Sequence, residues 1–245
     1  MIPEALRGLH AVVLDTDGVI TDSARVHAET WKAAFDSHLL EHPPQDLAQR
    51  RPFDVRDDYL RYVDGKSRID GATAFLASRG MRTDDGLAEA VAADKERLFV
   101  QRLRAGGIDA YPGTVRFLHV LRQDGIRCAA ASASRHAREL LVHAGVMDLF
   151  EVLVDGNEAA RLGLPGKPDP ALFLEAARRL GVAVAQVAVV EDALAGVEAG
   201  RRGGFGLVVG VNRTAGPGNG TALLKHGADL VVTDLGDLLT GEAWT

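Results

Sequence analysis

Acidic and polar side chains follow three short apolar runs of the sequence. Asp15-Thr16-Asp17-Gly18 follows Ala11–Leu14, Ser132-Ala133-Ser134 follows Ile126–Ala131, and Glu191-Asp192 follows Val187–Val190. A fourth polar segment, Gly166-Lys167-Pro168, precedes a helix that we predict to begin at Pro170. If these segments converge, four carboxylates, a hydroxyl and one ammonium share a single site.

Such a cluster carries a surplus of negative charge. Two carboxylates about 4 Å apart repel by roughly 4 kcal/mol at an effective dielectric of ~20, so several together need cations nearby. The ammonium of Lys167 and a divalent cation would relieve the repulsion, and carboxylate and carbonyl oxygens suit Mg²⁺. Any one of these acids alone could be a helix cap. Their joint occurrence favours a site for a metal and an anion.

The apolar runs indicate the elements that position these residues. They are short, rich in Val or Ala, and bounded by Gly, Asp or Ser, which is typical of buried parallel strands. The runs are Ala11–Leu14, Ile126–Ala131, Val152–Val154, Val187–Val190, Leu207–Val211 and Leu230–Val232. Helical patterns alternate with the later runs, at Gly113–Gln123, Pro170–Leu180 and Ala193–Gly200. The sequence therefore predicts an α/β fold with a doubly wound, Rossmann-like parallel sheet, in which ligands bind at the carboxyl ends of the strands.

One long segment interrupts this alternation. Between the first and second runs there are helical patterns at Ala24–Leu40, Gly71–Arg79 and Leu87–Leu103, but no convincing buried strand. We predict that residues 1–22 and 107–245 form the α/β core and that residues 23–106 form a helical domain inserted after the first strand. The cluster Gly216–Gly220, rich in Gly and Pro, predicts a surface loop.

Composition narrows the class of protein. The chain has 245 residues, a formal net charge of −6 and 47% hydrophobic residues, which excludes intrinsic disorder and argues against nucleic acid as a partner. The single cysteine, Cys128, excludes an internal disulfide. No signal peptide and no apolar run of membrane-spanning length is present, so we expect a cytoplasmic protein without a membrane partner. We also expect a monomer.

The motifs together resemble those of a known superfamily. The stretch from Asp15 to Ser23 resembles the first motif of the haloacid-dehalogenase superfamily, and Ser132, Lys167 and Glu191-Asp192 stand where its other three motifs fall. Within it, the strings around these residues, together with His27, Trp31 and the segment Gly65–Asp70, look most like the β-phosphoglucomutase branch. The resemblance covers nearly the whole chain and implies that the inserted domain is a cap.

This resemblance implies roles for the acidic residues. Asp15 would be the nucleophile that forms an aspartyl phosphate, and Asp17 would be the general acid and base. Mg²⁺ would be bound by Asp15, the backbone carbonyl of Asp17 and Asp192, with Glu191 beside it.

The resemblance also implies residues that bind the substrate. Lys167, Ser132 and the loop around it would hold phosphoryl oxygens, with the amides of Gly18 and Ala133 as further donors and Ser134 in the same loop. In the cap, Arg68 would hold a second phosphate beside Lys66 and Ser67. His27 would orient Asp17 or respond to closure of the cap, and Ser23 would contact Asp17.

One departure from the branch bears on the substrate. Asp64 stands where the branch has a lysine that helps to hold the sugar, and the nearest lysine is Lys66. The leading hypothesis is a mutase that interconverts β-glucose 1-phosphate and glucose 6-phosphate through glucose 1,6-bisphosphate. The alternative is a small-molecule phosphatase in which Asp17 activates water. A non-catalytic phospho-switch module is disfavoured, because a receiver domain carries no such helical insertion.

Overall fold

The computed structural model describes residues 3–83, 86–106, 108–213 and 217–240. The chain divides into two compact units, one formed by Met1–Asp22 with Ile108–Thr245 and the other by Ser23–Gly107. We call them the α/β unit and the helical unit. The return boundary of our sequence-based division falls at Gly107, which lies outside the described residues.

The α/β unit contains a parallel sheet in the order β3-β2-β1-β4-β5-β6. Its strands are β1 Ala11–Leu14, β2 Arg127–Ala131, β3 Val152–Val154, β4 Val187–Glu191, β5 Leu207–Val211 and β6 Leu230–Val232. Each coincides with a predicted apolar run to within one residue at either end, and the predicted fold class is confirmed. β1 is central, because Val13 pairs with Ala129 on one side and with Val189 on the other.

The described residues contain these α-helices: α1 Ala24–Glu41, α2 Arg68–Ser78, α3 Leu87–Arg104, α4 Pro112–Gln123, α5 Ala137–His143, α6 Gly156–Leu162, α7 Ala171–Leu180, α8 Leu194–Arg202, α9 Pro217–His226 and α10 Asp237–Thr240. Short 3₁₀ turns occur at Glu4–Leu6, Leu47–Gln49, Met147–Leu149 and Val184–Gln186, and a π-helical turn at Tyr59–Val63.

The predicted loop at Gly216–Gly220 is wrong for residues 217–220. Helix α9 begins at Pro217, while Gly216 lies outside the described residues. Proline is compatible with the first turn of a helix, since the amide hydrogen that it lacks would have no partner there. The helix is held by its buried Leu223, which packs in a cluster with Val208 and Val231.

Both faces of the sheet are covered. Val12 and Leu14 of β1 pack in one apolar cluster with Phe117 of α4, whereas Val13 packs in a second cluster with Phe173 of α7. Because every side chain of β1 is buried, the strand has an uninterrupted apolar run rather than an alternating one. Polar residues therefore begin only where the strand ends.

The helical unit has an aromatic core of its own. The ring of Phe35 lies 4.9 Å from that of Trp31, 5.0 Å from that of Phe53 and 4.1 Å from that of Phe75. Offset aromatic contacts of this kind add to the stabilisation that burial provides. Helix α2 begins at Arg68, three residues before the start predicted from its apolar pattern.

Candidate active site

Three acids meet at the carboxyl ends of the two central strands. Asp15 directly follows β1, Glu191 is the last residue of β4, and Asp192 follows it. The two strands are paired, and the amide of Asp15 donates to the carbonyl of Val190 over 2.9 Å. Ligand oxygens of the three carboxylates lie within 4.8 Å of one another. Parallel pairing thus brings together residues that are far apart in the sequence.

Lys167 places a single ammonium between two of these acids. Its Nζ lies 2.5 Å from Asp15 Oδ1 and 2.7 Å from Glu191 Oε2, and the side chain is 1% exposed. Although burial alone would lower the pKa of Lys167, the two carboxylates raise it above its usual value. The ammonium therefore stays charged at neutral pH.

One ammonium does not neutralise the cluster. Burial and the charge of Asp15 raise the pKa of Glu191 to about 8. Burial likewise raises the pKa of Asp15, although Lys167 opposes the shift. Carboxylate oxygens gathered at this distance around one ammonium fit a divalent cation that prefers oxygen ligands.

Two glycines make room for the acids. Gly18 has φ +78°, and a Cβ on it would lie 1.8 Å from Asp192 Oδ2. A Cβ on Gly196 would lie 2.1 Å from the carboxyl carbon of Glu191. A larger residue at either position would displace a carboxylate from the cluster, so Gly18 belongs to the site for steric reasons as well as for its backbone conformation.

The loop after Asp15 is a tight turn that carries Asp17. The amide of Asp17 donates to Asp15 Oδ2 over 2.9 Å, and the amide of Gly18 donates to the carbonyl of Thr21 over 2.9 Å. The amide of Gly18, which we predicted as a donor to phosphate, is therefore used within the turn. Because the peptide unit is planar and trans, the carbonyl of Asp17 points away from Thr21. The turn thus sets the direction of both the side chain and the carbonyl of Asp17.

The loop after β2 lies next to this turn. The hydroxyl of Ser132, which is fully buried, donates to Asp17 Oδ2 over 3.4 Å and accepts from the amide of Ser134 over 3.1 Å. Ala133 lies between them, and a Cβ on Gly156 would lie 2.5 Å from its carbonyl oxygen, so α6 packs closely under the loop. The predicted residues of the α/β unit thus meet at one edge of the sheet: Asp15, Asp17, Gly18, Ser132, Ala133, Ser134, Lys167, Glu191 and Asp192.

The remaining predicted residues belong to the helical unit. Ser23 is buried and precedes α1, and His27 lies in the first turn of that helix. Nδ1 of His27 lies 2.7 Å from Nζ of Lys95, and its ring stacks on Phe99 at 4.2 Å. Since an ammonium can only donate, Nδ1 accepts this hydrogen bond. Sequence reasoning missed Lys95, which has the spacing of an ordinary surface lysine but is 2% exposed.

Ser67 and Arg68 have partners within the helical unit. Ser67 caps α2, since its hydroxyl accepts from the amide of Asp70 over 3.2 Å and donates to Asp70 Oδ2 over 2.7 Å. Arg68 forms an ion pair with Glu96 over 2.8 Å, with both side chains 23% exposed. Lys66 is half-buried in the preceding turn. The predicted phosphate clamp is therefore already balanced by a carboxylate, which the sequence pattern did not reveal.

The chain is similar to known proteins over nearly its whole length. The model of the haloacid dehalogenase-like hydrolase family matches residues 9–204. The chain is 41% identical to a β-phosphoglucomutase of Mycobacterium bovis, over 97% of this chain and 93% of that protein. It is 34% identical to a β-phosphoglucomutase of Bacillus subtilis, over 96% of each. A β-phosphoglucomutase structure from Clostridium difficile superposes with a TM-score of 0.72 at 25% identity, covering 94% of this chain and 93% of that one.

Among the helices of the described residues, none combines the length and apolar character needed to cross a membrane. The family match and the full-length relatives identify the chain as an enzyme of the phosphotransferase and isomerase kind. The chain belongs to the haloacid dehalogenase-like hydrolase family, and within it to the β-phosphoglucomutase-like branch.

Proposed function

We propose that the protein is a Mg²⁺-dependent mutase that interconverts β-glucose 1-phosphate and glucose 6-phosphate. The observation that carries this proposal is the pair Asp15 and Asp17 at the end of β1, with Lys167 shared between Asp15 and Glu191. The names of the relatives at 41% and 34% identity support the choice of a phosphoglucose substrate.

Asp15 is the proposed nucleophile. Lys167 holds its Oδ1, and the amide of Asp17 holds its Oδ2, so the carboxylate is oriented before the substrate arrives. Attack by a carboxylate oxygen on phosphorus forms a new O–P bond and breaks the bond to the sugar oxygen. The cycle begins with phosphorylated Asp15, which gives its phosphoryl group to the free hydroxyl of the substrate. Attack by Asp15 on the phosphoryl group at the other position then releases the product and restores phosphorylated Asp15.

Asp17 is the proposed general acid and base. It donates a proton to the sugar oxygen that leaves phosphorus, and it later accepts the proton of the hydroxyl that attacks. The hydroxyl of Ser132, which we propose as a donor to phosphate, contacts Asp17 Oδ2 over 3.4 Å, and this contact supports the proposed role of Asp17 beside the phosphoryl group. When β-glucose 1-phosphate accepts the phosphoryl group of Asp15, it becomes glucose 1,6-bisphosphate. This intermediate must then present its other phosphoryl group to Asp15 within the site.

Mg²⁺ fits the acid cluster. Asp15, Asp192 and the backbone carbonyl of Asp17 would bind it, with Glu191 beside them. When bound, the ion would neutralise phosphoryl oxygens and reduce the repulsion between the anionic substrate and the carboxylates.

In the helical unit, we propose that Arg68 binds the second phosphate of the bisphosphate in exchange for Glu96. A guanidinium can hold phosphate through two parallel hydrogen bonds, as it does a carboxylate. Ser23, His27, Lys66 and Ser67 remain predicted contributors to substrate binding.

A phosphatase is the second candidate. Asp64 replaces a lysine that the branch uses to hold the sugar, and the matching family model describes hydrolases. In that case Asp17 activates water, and the phosphoryl group leaves as free phosphate.

A paired product assay separates the two. Purified protein receives β-glucose 1-phosphate, Mg²⁺ and a trace of glucose 1,6-bisphosphate, and glucose 6-phosphate and free phosphate are followed together. The proposal predicts rapid formation of glucose 6-phosphate with little free phosphate, and loss of both products in EDTA. Free phosphate without glucose 6-phosphate would replace the mutase with a phosphatase, and activity that survives EDTA would contradict the metal.

A further inference from the structure

Arg213, just beyond β5, ties the loop that carries Asp17 to the end of β6. Its Nε donates to the carbonyl of Gly18 over 2.8 Å, and its Nη2 donates to the carbonyl of Val19 over 3.4 Å. Its Nη1 donates to the carbonyl of Thr233 over 3.0 Å and to Asp234 Oδ2 over 3.1 Å. One guanidinium thus holds two consecutive carbonyls of the catalytic loop and two acceptors beyond β6.

The plane of this guanidinium is fixed by Tyr111. The carbon Cζ of Arg213 lies 3.6 Å from the centre of the Tyr111 ring. The hydroxyl of Tyr111 donates to Asp22 Oδ1 over 2.9 Å, and its amide donates to the carbonyl of Ile20 over 3.0 Å. Arg213 therefore contacts the middle of the loop, at Gly18 and Val19, and Tyr111 contacts its end, at Ile20 and Asp22.

These contacts fix both peptide units around Gly18. The amide of Gly18 donates to Thr21, and the carbonyl of Gly18 accepts from Arg213. The first of these peptide units also contains the carbonyl of Asp17. A rotation of the loop at Gly18 would therefore redirect Asp17, and Arg213 opposes that rotation.

We propose that Arg213, held in plane by Tyr111, is a positioning residue that sets the direction of Asp17 by fixing the carbonyls of Gly18 and Val19. This inference rests on the proposed role of Asp17 in the reaction. Three of the four acceptors of Arg213 are backbone carbonyls whose directions are fixed. A planar guanidinium can donate to all of them at once through its several N–H groups, whereas a lysine ammonium cannot.

The test compares Arg213→Ala and Arg213→Lys with Arg201→Ala as a matched control. Arg201 also donates to a carbonyl and a carboxylate, those of Gly227 and Asp229, over 3.1 and 2.7 Å. Asp229 directly precedes β6, at the amino ends of the strands, so this contact lies at the opposite edge of the sheet from the catalytic loop. Amide hydrogen exchange of the segment 15–22 is measured without substrate. Steady-state kinetics with saturating Mg²⁺ use β-glucose 1-phosphate and, separately, p-nitrophenyl phosphate.

In Arg213→Ala, we expect faster exchange in the segment 15–22 and a fall in kcat of about 10- to 100-fold, the scale of loss for a misplacement of about 1 Å. KM should change less than kcat. Arg213→Lys should recover the thermal stability lost in Arg213→Ala, because it restores the positive charge. Its kcat should stay reduced, because an ammonium lacks the planar set of N–H donors. Arg201→Ala should match the wild type in loop exchange and in kcat.

Unchanged loop exchange or unchanged kcat in folded Arg213→Ala would overturn the proposal, and so would an equal fall of kcat in Arg201→Ala. If Arg213→Ala does not fold, a wild-type kcat in Arg213→Lys would overturn it instead. If the wild type hydrolyses p-nitrophenyl phosphate but forms no glucose 6-phosphate, the mutase proposal fails. The role of Arg213 can still be tested in that case, by amide exchange of the loop and by the rate of hydrolysis. Absence of both activities would overturn both proposals.

Discussion

In the α/β unit the buried ammonium of Lys167 lies between two carboxylates, whereas in the helical unit the buried ammonium of Lys95 lies against an imidazole. Lys167 joins Asp15 and Glu191 at the ends of neighbouring strands. Lys95 contacts His27 Nδ1 and lies 4.6 Å from the centre of the Phe99 ring. The first environment leaves excess negative charge, while in the second an imidazole nitrogen and two aromatic rings contact the ammonium.

The two units also differ in the charges that surround their buried carboxylates. Asp192 adds a third carboxylate to the cluster around Lys167. In the helical unit the buried carboxylate of Asp58 is shared by two guanidiniums, those of Arg51 and Arg79, over 2.7 and 2.8 Å. Like charges crowded together oppose folding and suit a site that binds a cation and an anion, whereas a buried carboxylate in contact with cations supports folding. The difference predicts that substitutions in the α/β cluster change catalysis and that those at Asp58 change stability.

The strongest test of this contrast is Asp15→Asn. It removes the proposed nucleophile, and kcat should fall by roughly 10⁴-fold or more, the scale seen when a nucleophile is lost. Circular dichroism should show the native fold. Asp148→Asn, at an exposed acid of the turn Met147–Leu149, is the control and should keep wild-type turnover. Measurable mutase activity in Asp15→Asn would remove Asp15 from the chemistry.

Asp17→Asn should have the next largest effect. Without a general acid and base, kcat should fall by about 10²- to 10⁴-fold, since this is the usual contribution of such catalysis. The loss should be smaller for p-nitrophenyl phosphate than for β-glucose 1-phosphate, because nitrophenolate leaves without needing a proton. Equal losses on both substrates would indicate that Asp17 acts through the metal site rather than as an acid.

Asp58→Asn should lower stability rather than turnover. Its loss leaves Arg79, which is 3% exposed, without its buried carboxylate, and this should reduce the free energy of unfolding by about 3–5 kcal/mol. Urea denaturation measures the change, with Asp57→Asn at a neighbouring exposed acid as the control. A loss below about 1 kcal/mol would mean that Arg79 finds another partner.

The same carboxylate predicts a pH dependence. Burial alone would raise the pKa of Asp58, but the hydrogen bonds from Arg51 and the amide of Asp54, with the charge of Arg79, hold it below the usual value of 3.8. The native state is therefore stabilised at pH values above 3.8, and this contribution is lost as the pH falls through the lower folded pKa. Asp58→Asn should lack this part of the acid sensitivity.

Arg68→Ala should affect substrates selectively. Loss of a charged hydrogen-bond donor to phosphate should lower kcat/KM for β-glucose 1-phosphate by about 10- to 100-fold. Hydrolysis of p-nitrophenyl phosphate, which has one phosphate and no sugar, should change little. A parallel fall on both substrates would show that Arg68 supports the fold of the helical unit instead of a distal phosphate.

The smallest expected effect is that of Glu96→Gln, which removes the carboxylate that competes with phosphate for Arg68. The KM for β-glucose 1-phosphate should fall by about twofold to fivefold, the scale of a partly exposed ion pair. Arg68→Ala combined with Glu96→Gln should lose this gain, and a KM that still falls in the double variant would contradict the competition.

The contrast between the units also explains what the sequence could predict. The strands were predictable because both faces of β1 are covered, so apolar runs mark them directly, and the acids at their ends followed from the parallel arrangement. The start of α9 was not predictable. Gly and Pro in that segment indicate a loop, but the burial of Leu223 stabilises the helix.

Three long-range pairs outside the predicted motifs escaped sequence reasoning for a related reason. Lys95 contacts a residue 68 positions away, and Arg213 contacts one 195 positions away. Neither partner can be inferred from spacing along a helix or strand. The ion pair of Arg68 with Glu96 joins α2 to α3 and is equally invisible to local periodicity. Residues grouped by the sheet were foreseen, whereas residues grouped by packing between distant segments were not.

We expect Asp15 to carry the phosphoryl group during turnover, and a trapping experiment can detect it there. The enzyme is mixed with glucose 1,6-bisphosphate and Mg²⁺, quenched rapidly in acid, digested and analysed by mass spectrometry. The account predicts a phosphoryl group on Asp15, removed by hydroxylamine and missing from Asp15→Asn. Phosphorylation at Ser132, or full turnover with no phosphorylated peptide that contains Asp15, would contradict it.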